Sequence, residues 1–572
     1  MSSCSTGKNA AQRTEKDAVK LKDADSSELS SQPIPARKNG RFWAVIGGVL
    51  LSTFFAVLEA YCVSTALPVI VSDLHSDQFV WVASAYAIAS TALLPLSGGL
   101  ADMFGRKPVI LGSVLVFAFG GALAGAAQSM NMLIAARVLQ GVGAGGMTTL
   151  SQITISDLVT LQERGTFNGL IGLTWSLSGC LGPLVGGSLA RQTQWRWMFY
   201  LNIPACGLVA VLFLLFFSPN KPPSLTRKEM VARLDIIGNT LLVGSTCSVV
   251  IGLTWAGIDF PWVSAQVLAP LCIGVSGLIA FLVYEWCFCE YPIVPLSVLS
   301  NRTSLSGYVQ IALSAFVNIV LLYYLPIFYQ ACKDASPIAS GVDIFGLVFS
   351  TGPFSIIAGA SIAKYKRYRP PLWIAWGIML VGIGLISSIT ESTSRIATIC
   401  YQIPAGAGIG MVFAASYFPV LAPLPTKMNA AALSFFVFIR TFAQACNFSR
   451  SLSLIWGVTI GGAILQNELQ MRLPQAIQDS LPGINNIAYA IVPLIPSLEE
   501  PEKDIVRKAF AQSLVTLWRM IIAVGGVGLL ASLPMRGFPL HTQTDEGYAL
   551  QVQPEVDGSR ENQAERSFCS TS

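Results

Sequence analysis

Long apolar runs broken by short polar connections dominate the chain, and their lengths decide its architecture. A helix rises about 1.5 Å per residue, so about 20 apolar residues span a hydrocarbon core of about 30 Å. Six such runs come first: Phe42–Pro68, Val80–Leu100, Val109–Gln128, Met132–Ser156, Phe167–Ala190 and Trp197–Phe217. A polar, basic connection, Ser218–Leu234, leads to two more, Ile236–Trp255 and Val263–Phe288. Six then follow: Ser304–Gln330, Val342–Ala363, Leu372–Ile389, Ile396–Leu421, one within Ala430–Leu465, and Ala511–Leu533. The pattern predicts an all-α integral membrane protein with 14 transmembrane helices in groups of six, two and six.

The domain expectation follows from the same pattern. Residues 1–41 read as a disordered cytosolic tail and 42–217 as a six-helix bundle; 218–234 is a linker and 235–289 two extra helices. Residues 290–534 form a second six-helix bundle with a long outer loop at 466–510, and 535–572 a polar cytosolic tail. The first apolar run starts too far in for a cleaved signal peptide, so it is expected to be a retained helix.

Charge orients the threading, because short cytoplasmic loops accumulate Lys and Arg. With the N-terminus inside, the short inner loops hold 13 basic residues: Arg106, Lys107, Arg164, Lys221, Arg227, Lys228, Arg233, Arg302, Lys364, Lys366, Arg367, Arg369 and Lys427. The short outer loops hold 4: Arg191, Arg196, Lys333 and Arg395. Both termini are therefore expected in the cytosol. The sequon at Asn301 then faces the cytosol and should stay unmodified.

Composition mainly excludes. The chain is 53% hydrophobic and 12% charged, and its net charge of +5 argues for no nucleic-acid partner. The 12 Cys have no spacing that suggests a disulfide framework or zinc site, and the two His, His75 and His541, lie outside the spans. No GxxxxGK[ST] loop occurs, so no P-loop is present. No cofactor or metal is implied, and the chain is expected not to be an enzyme.

Three motifs carry the functional reading. Gly179, Gly182, Pro183, Gly186 and Gly187 share one helical face in the stretch from Gly172 to Gly187, which favours close helix packing with a bend at the proline. Gly98-Gly-Leu-Ala-Asp-Met-Phe-Gly-Arg-Lys107 joins the second and third runs; Asp102, Arg106 and Lys107 can form a charge cluster whose pairing differs between two conformations. Arg137-Val-Leu-Gln-Gly141 lies in the fourth run, with Gly143, Gly145 and Gly146 after it.

Gly98, Leu100, Asp102, Gly105, Arg106 and Lys107 resemble the signature loop of the major facilitator superfamily. With the Arg137 motif, the Gly172–Gly187 stretch, Trp195–Pro204, Leu322–Gln330 and two extra central helices, the chain resembles its fourteen-span drug:proton antiporters, particularly fungal members. The resemblance implies two six-helix bundles rocking about a central cavity, a proton-driven exporter of amphipathic organic compounds, and Gly179, Gly182, Pro183, Gly186 and Gly187 as an antiporter hinge. A monomer in the lipid bilayer is expected, in the plasma membrane or, alternatively, the vacuolar membrane. The loop departs from the family pattern at Met103; the first span, whose Leu58-Glu59 and Ser64-Thr-Ala-Leu-Pro68 also resemble the family, has Tyr61 where Thr is usual; and the corresponding second-half loop, Gly359–Pro370, has Lys364 where an Asp would stand.

Glu59 is the carboxylate set deepest in a confident span, about 13 Å from Pro68, and Arg137 is roughly 8 to 10 Å deep from the same side. Their depths let them meet, so Glu59 is the expected proton carrier and Arg137 its partner. Tyr61, Trp175, Gln310, Asn318, Tyr323, Tyr324 and Phe435 are candidates to line a midplane substrate cavity. Such an aromatic cavity suits amphipathic organic molecules, whereas small polar anions would require more buried basic residues. Alternatives are an importer or vacuolar transporter of a specific solute, such as an iron–siderophore complex or a basic amino acid, and a non-transporting membrane receptor.

One segment does not fit a single span. Ala430–Leu465 would be about 54 Å as a helix and contains Arg440, Asn447 and Arg450. Residues 445–455 read as an insertion, either a protruding extension or a retained intron in the gene model.

Overall fold

The computed structural model describes residues 38–540 except 76–79, 192–193, 220–225, 256–259, 261–262, 290, 295, 426–427, 449–464, 466, 474–490, 493–494 and 496–497. The expected terminal tails, apart from a few residues beside the first and last helices, most of the 445–455 insertion and much of the 466–510 loop lie outside the described residues.

The apolar runs become helices. The first group comprises α1 (Gly40–Leu74), α2 (Val80–Ala92), α3 (Leu94–Phe104), α4 (Arg106–Gly125), α5 (Met130–Leu158), α6 (Leu161–Arg191), α7 (Arg196–Tyr200) and α8 (Asn202–Phe216). The linker forms α9 (Arg227–Leu234), followed by the pair α10 (Ile236–Trp255) and α11 (Ala265–Cys287). The last group comprises α12 (Leu296–Ser300), α13 (Arg302–Lys333), α14 (Pro337–Asp343), α15 (Phe345–Tyr365), α16 (Arg369–Ser387), α17 (Arg395–Ala415), α18 (Tyr417–Leu421), α19 (Asn429–Phe448) and α20 (Glu502–Ser532). Ser129, Ser394 and Asn301 mark starts: each accepts a backbone N–H in the first turn of α5, α17 and α13 respectively. Asn301, the sequon asparagine, is thus a helix cap.

Among the described residues, eleven helices are long and apolar enough to cross a membrane, or twelve when α2 and α3, bent by 45° at their break, count as one span. The expected count of fourteen therefore exceeds what length and composition establish. The two expected spans outside that tally correspond to α5, of 29 residues, and α19, of 20 residues. Both carry an arginine with polar neighbours. The helices also outrun the apolar runs: α20 begins at Glu502, so the end of the expected 466–510 loop is helical.

Helix contacts define how the groups meet. Within the first, α5 packs on α2 and α4; within the last, α17 packs on α15 and α16, and α20 on α13 and α16. Two seams join them. Along one, α6 lies on α15; along the other, α2 and α3 lie on α19. The pair α10 and α11 pack on each other, and Val249, Val250 and Leu253 of α10 cluster with Ile88 of α2. Only 17% of the apolar window of α11 is buried, as a lipid-facing helix requires.

Residues 535–540, the start of the expected polar tail, are hydrogen-bonded to the helices. Gln162 Nε2 donates to the Leu540 carbonyl at 3.0 Å, Phe538 N donates to Tyr368 Oη at 3.1 Å, and Arg536 N donates to Thr303 Oγ1 at 3.1 Å.

Candidate functional site

A carboxylate in the middle of an apolar helix is costly unless paired. Glu59, on α1, is 2% exposed and Arg137, on α5, 1% exposed. Arg137 Nη1 lies 2.7 Å from Glu59 Oε1, so the two depths read from the sequence do meet. Asn202 Nδ2, at the start of α8, donates to Glu59 Oε2 at 2.7 Å, which leaves both carboxylate oxygens engaged. Arg137 further donates from Nη1 to Gln140 Oε1 at 3.0 Å and from Nε to the Val82 carbonyl at 3.1 Å, and its guanidinium sits 4.2 Å from the Tyr86 ring centroid. Asn202 and Gln140 stood inside motifs already quoted, but spacing alone does not show that they converge on Glu59.

The glycine face of α6 rests on this same helix α1. A Cβ at Gly182 would collide with Tyr61, and one at Gly186 with Cys62 and Thr65. Gly179 and Gly187 instead face Val348 and Ile338 of the last group, and Pro183 lies near Gly341. The helix is uninterrupted through Pro183. Farther along α6, Gly165 meets Gly359 backbone to backbone, Gly169 meets Ile356, and Gly172 meets Ser355. Small residues therefore let α6 and α15 touch along most of their length.

At the other end, Gly105 breaks the chain between α3 and α4 with φ 90°, a conformation glycine adopts freely. Arg106, 2% exposed, bridges Asp102 Oδ1 at 2.7 Å and Asp157 Oδ2 at 2.9 Å. Lys107 Nζ donates to the Leu214 carbonyl at 2.9 Å. Gly98 faces Ser434 of α19 with no room for a Cβ, so this loop abuts the second seam. Asp157 was missed: it lies one residue past the fourth run with no period or motif to mark it.

The candidate cavity residues separate into groups. Trp175 is partly exposed on α6, 6.4 Å from Phe413 of α17 between ring centroids. Phe435 packs on Tyr308 at 5.2 Å and stacks on Phe438 at 6.0 Å. Tyr61 is taken up by the Gly182 contact, and Asn318 and Tyr323 are partly buried on α13. Gln310 is fully buried, holding Ser306, Met535 and Trp376 Nε1, and Tyr324 is fully buried in the core around Trp376 and Trp518. Elsewhere, ligand atoms of Asp235, Glu285 and Cys289 lie within 4.8 Å of one another, a grouping that residue spacing does not show.

The model of the Major Facilitator Superfamily matches residues 49–446, which takes in α6, the signature loop, and both Glu59 and Arg137. The chain belongs to that superfamily. It is therefore an integral, multi-pass membrane transporter and not an enzyme. Full-length relatives agree with this membership: the efflux pump FUS6 of Gibberella fujikuroi is 34% identical over 92% of this chain and 95% of its own. The MFS-type efflux pump LUC4 of a Fusarium species is 33% identical over 95% and 96%, and the MFS-type efflux pump MMF1 of Pseudozyma antarctica 32% over 88% and 92%. Among solved structures, the human organic anion transporter MFSD10 superposes with a TM-score of 0.53 at 14% identity, over 85% of this chain and all of that one. The proton:xylose symporter XylE gives 0.53 at 14%, over 87% and 98%. These two similarities establish the superfamily fold.

Proposed function

We propose that this transporter exports amphipathic organic compounds, toxins or secondary metabolites, in exchange for protons. The observation that carries the reading is the Glu59–Arg137–Asn202 cluster, buried where α1 supports the glycine face of α6. Protonating Glu59 removes the charge that holds Arg137, and it loosens α1 from α5 and α8 at once. Substrate and proton then favour opposite forms of Glu59, which is the condition for exchange. The seam of α6 on α15 and the Asp102–Arg106–Asp157 charge cluster are the surfaces that part and reclose as the halves rock. The similarity to named efflux pumps supports the outward direction.

In this reading residues 42–217 and 290–534 are the two moving bundles, both termini are cytosolic, and the plasma membrane is the site of export. The test uses purified transporter in liposomes with an imposed pH gradient and an amphipathic dye. Gradient-driven movement of the dye in the wild type and its loss in Glu59→Gln support the proposal. Undiminished movement by a folded Glu59→Gln protein would sink it.

A further inference from the structure

A second arginine lies at the seam between the bundles in a very different setting. Arg440, near the middle of α19, is 3% exposed. Its Nε and Nη1 are buried with no hydrogen-bond partner, and no carboxylate pairs with it among the described residues. Its guanidinium lies 5.1 Å from the ring centroid of Trp175, on α6 of the first bundle, and 5.1 Å from that of Phe413, on α17 of the second. Both aromatic residues are partly exposed. Arg440 is six residues beyond Ser434, the contact of Gly98, and so about 9 Å deeper along the seam.

An arginine does not shed its proton, so its charge needs an anion or water. Aromatic faces offset part of the desolvation, but they accept no N–H in the plane of the guanidinium. We infer that Arg440 supplies the charge-recognition point of the substrate site, and that the transported compound bears a carboxylate on an apolar body which Trp175 and Phe413 flank. This deepens the export reading, since it names the chemical class of the cargo. It also narrows the sequence expectation, which set small polar anions aside for want of buried basic residues: one such residue suits one acidic group on a large apolar molecule.

The test separates recognition from transport. Purified protein is titrated with a fluorescent dye carrying one free carboxylate and with the methyl ester of that dye. The wild type is expected to bind the acid more tightly. Arg440→Gln should weaken binding of the acid roughly 30-fold or more while leaving the ester within about twofold. Arg440→Lys, which keeps the charge, should retain the preference for the acid, and it serves if the Gln variant fails to fold. Equal binding of acid and ester by the wild type, or equal loss of both in a folded Arg440→Gln protein, overturns the inference. If acid is preferred through Arg440 but no gradient moves it, the assignment of Arg440 stands and the export reading falls.

Discussion

Two arginines buried at similar cost are treated in opposite ways by this fold. Arg137 has a full complement within its own bundle: a carboxylate, an amide, a carbonyl and an aromatic face. Among the described residues, Arg440 has only aromatic faces, one from each bundle. The paired arginine is part of a device that the protein completes by itself. The unpaired one is completed from outside. The difference teaches that a buried charge reports function less by its presence than by what its surroundings leave undone.

Breaking the pair should have the largest effect. Glu59→Gln is expected to reduce gradient-driven transport to background in liposomes, with the protein still in the membrane. Wedging the helix that supports Glu59 comes next. Gly182→Leu has no space beside Tyr61, so transport should fall at least tenfold while the detergent-solubilised protein remains monodisperse. Stability then sets the two arginines against each other. Arg137→Gln abandons a buried carboxylate and should cost about 3–5 kcal/mol, seen as a clear drop in the thermal transition, and pairing it with Glu59→Gln should recover part of that loss. Arg440→Gln should leave the transition unchanged or raise it. A fall as large as that of Arg137→Gln would show that Arg440 is paired after all.

The smallest effect belongs to an exposed arginine. Arg196 pairs with Asp73 at 2.9 Å, the two being 39% and 46% exposed, so Asp73→Asn should cost less than about 1 kcal/mol. The hydrogen bond from Trp195 Nε1 and the nearby Arg196 hold the Asp73 carboxyl below its usual 3.8. Its contribution is therefore present above pH 3.8 and fades as the pH falls below that, through the folded-state value. The acid limb of a stability–pH curve should be slightly shallower in Asp73→Asn.

Much of this was legible in the chain because the bilayer imposes lengths. Apolar run length located most helices, and simple depth arithmetic brought Glu59 to Arg137. The residues that complete the site were not legible for a related reason: Asn202, Gln140 and Asp157 are placed by helix rotation and packing across distant segments, which no local period records. Arg440 was visible only as an oddity in an overlong segment. Its meaning depends on there being no acid beside it in three dimensions among the described residues. The number of spans was the least secure expectation, since α5 and α19 trade apolar residues for the polar groups that give the interior its chemistry.

That trade bears on how the protein is made. An arginine at the centre of a helix adds about 2.5–3.5 kcal/mol to the cost of lateral release from the translocon into lipid. For α5 the remedy is already in place, because Glu59 is synthesised 78 residues earlier and waits in the bilayer as an acceptor. For α19 no acid stands ready among the described residues, only the rings of α6 and α17 that precede it. Biogenesis of this transporter is therefore exposed to delay at α19, after the first bundle has already been built.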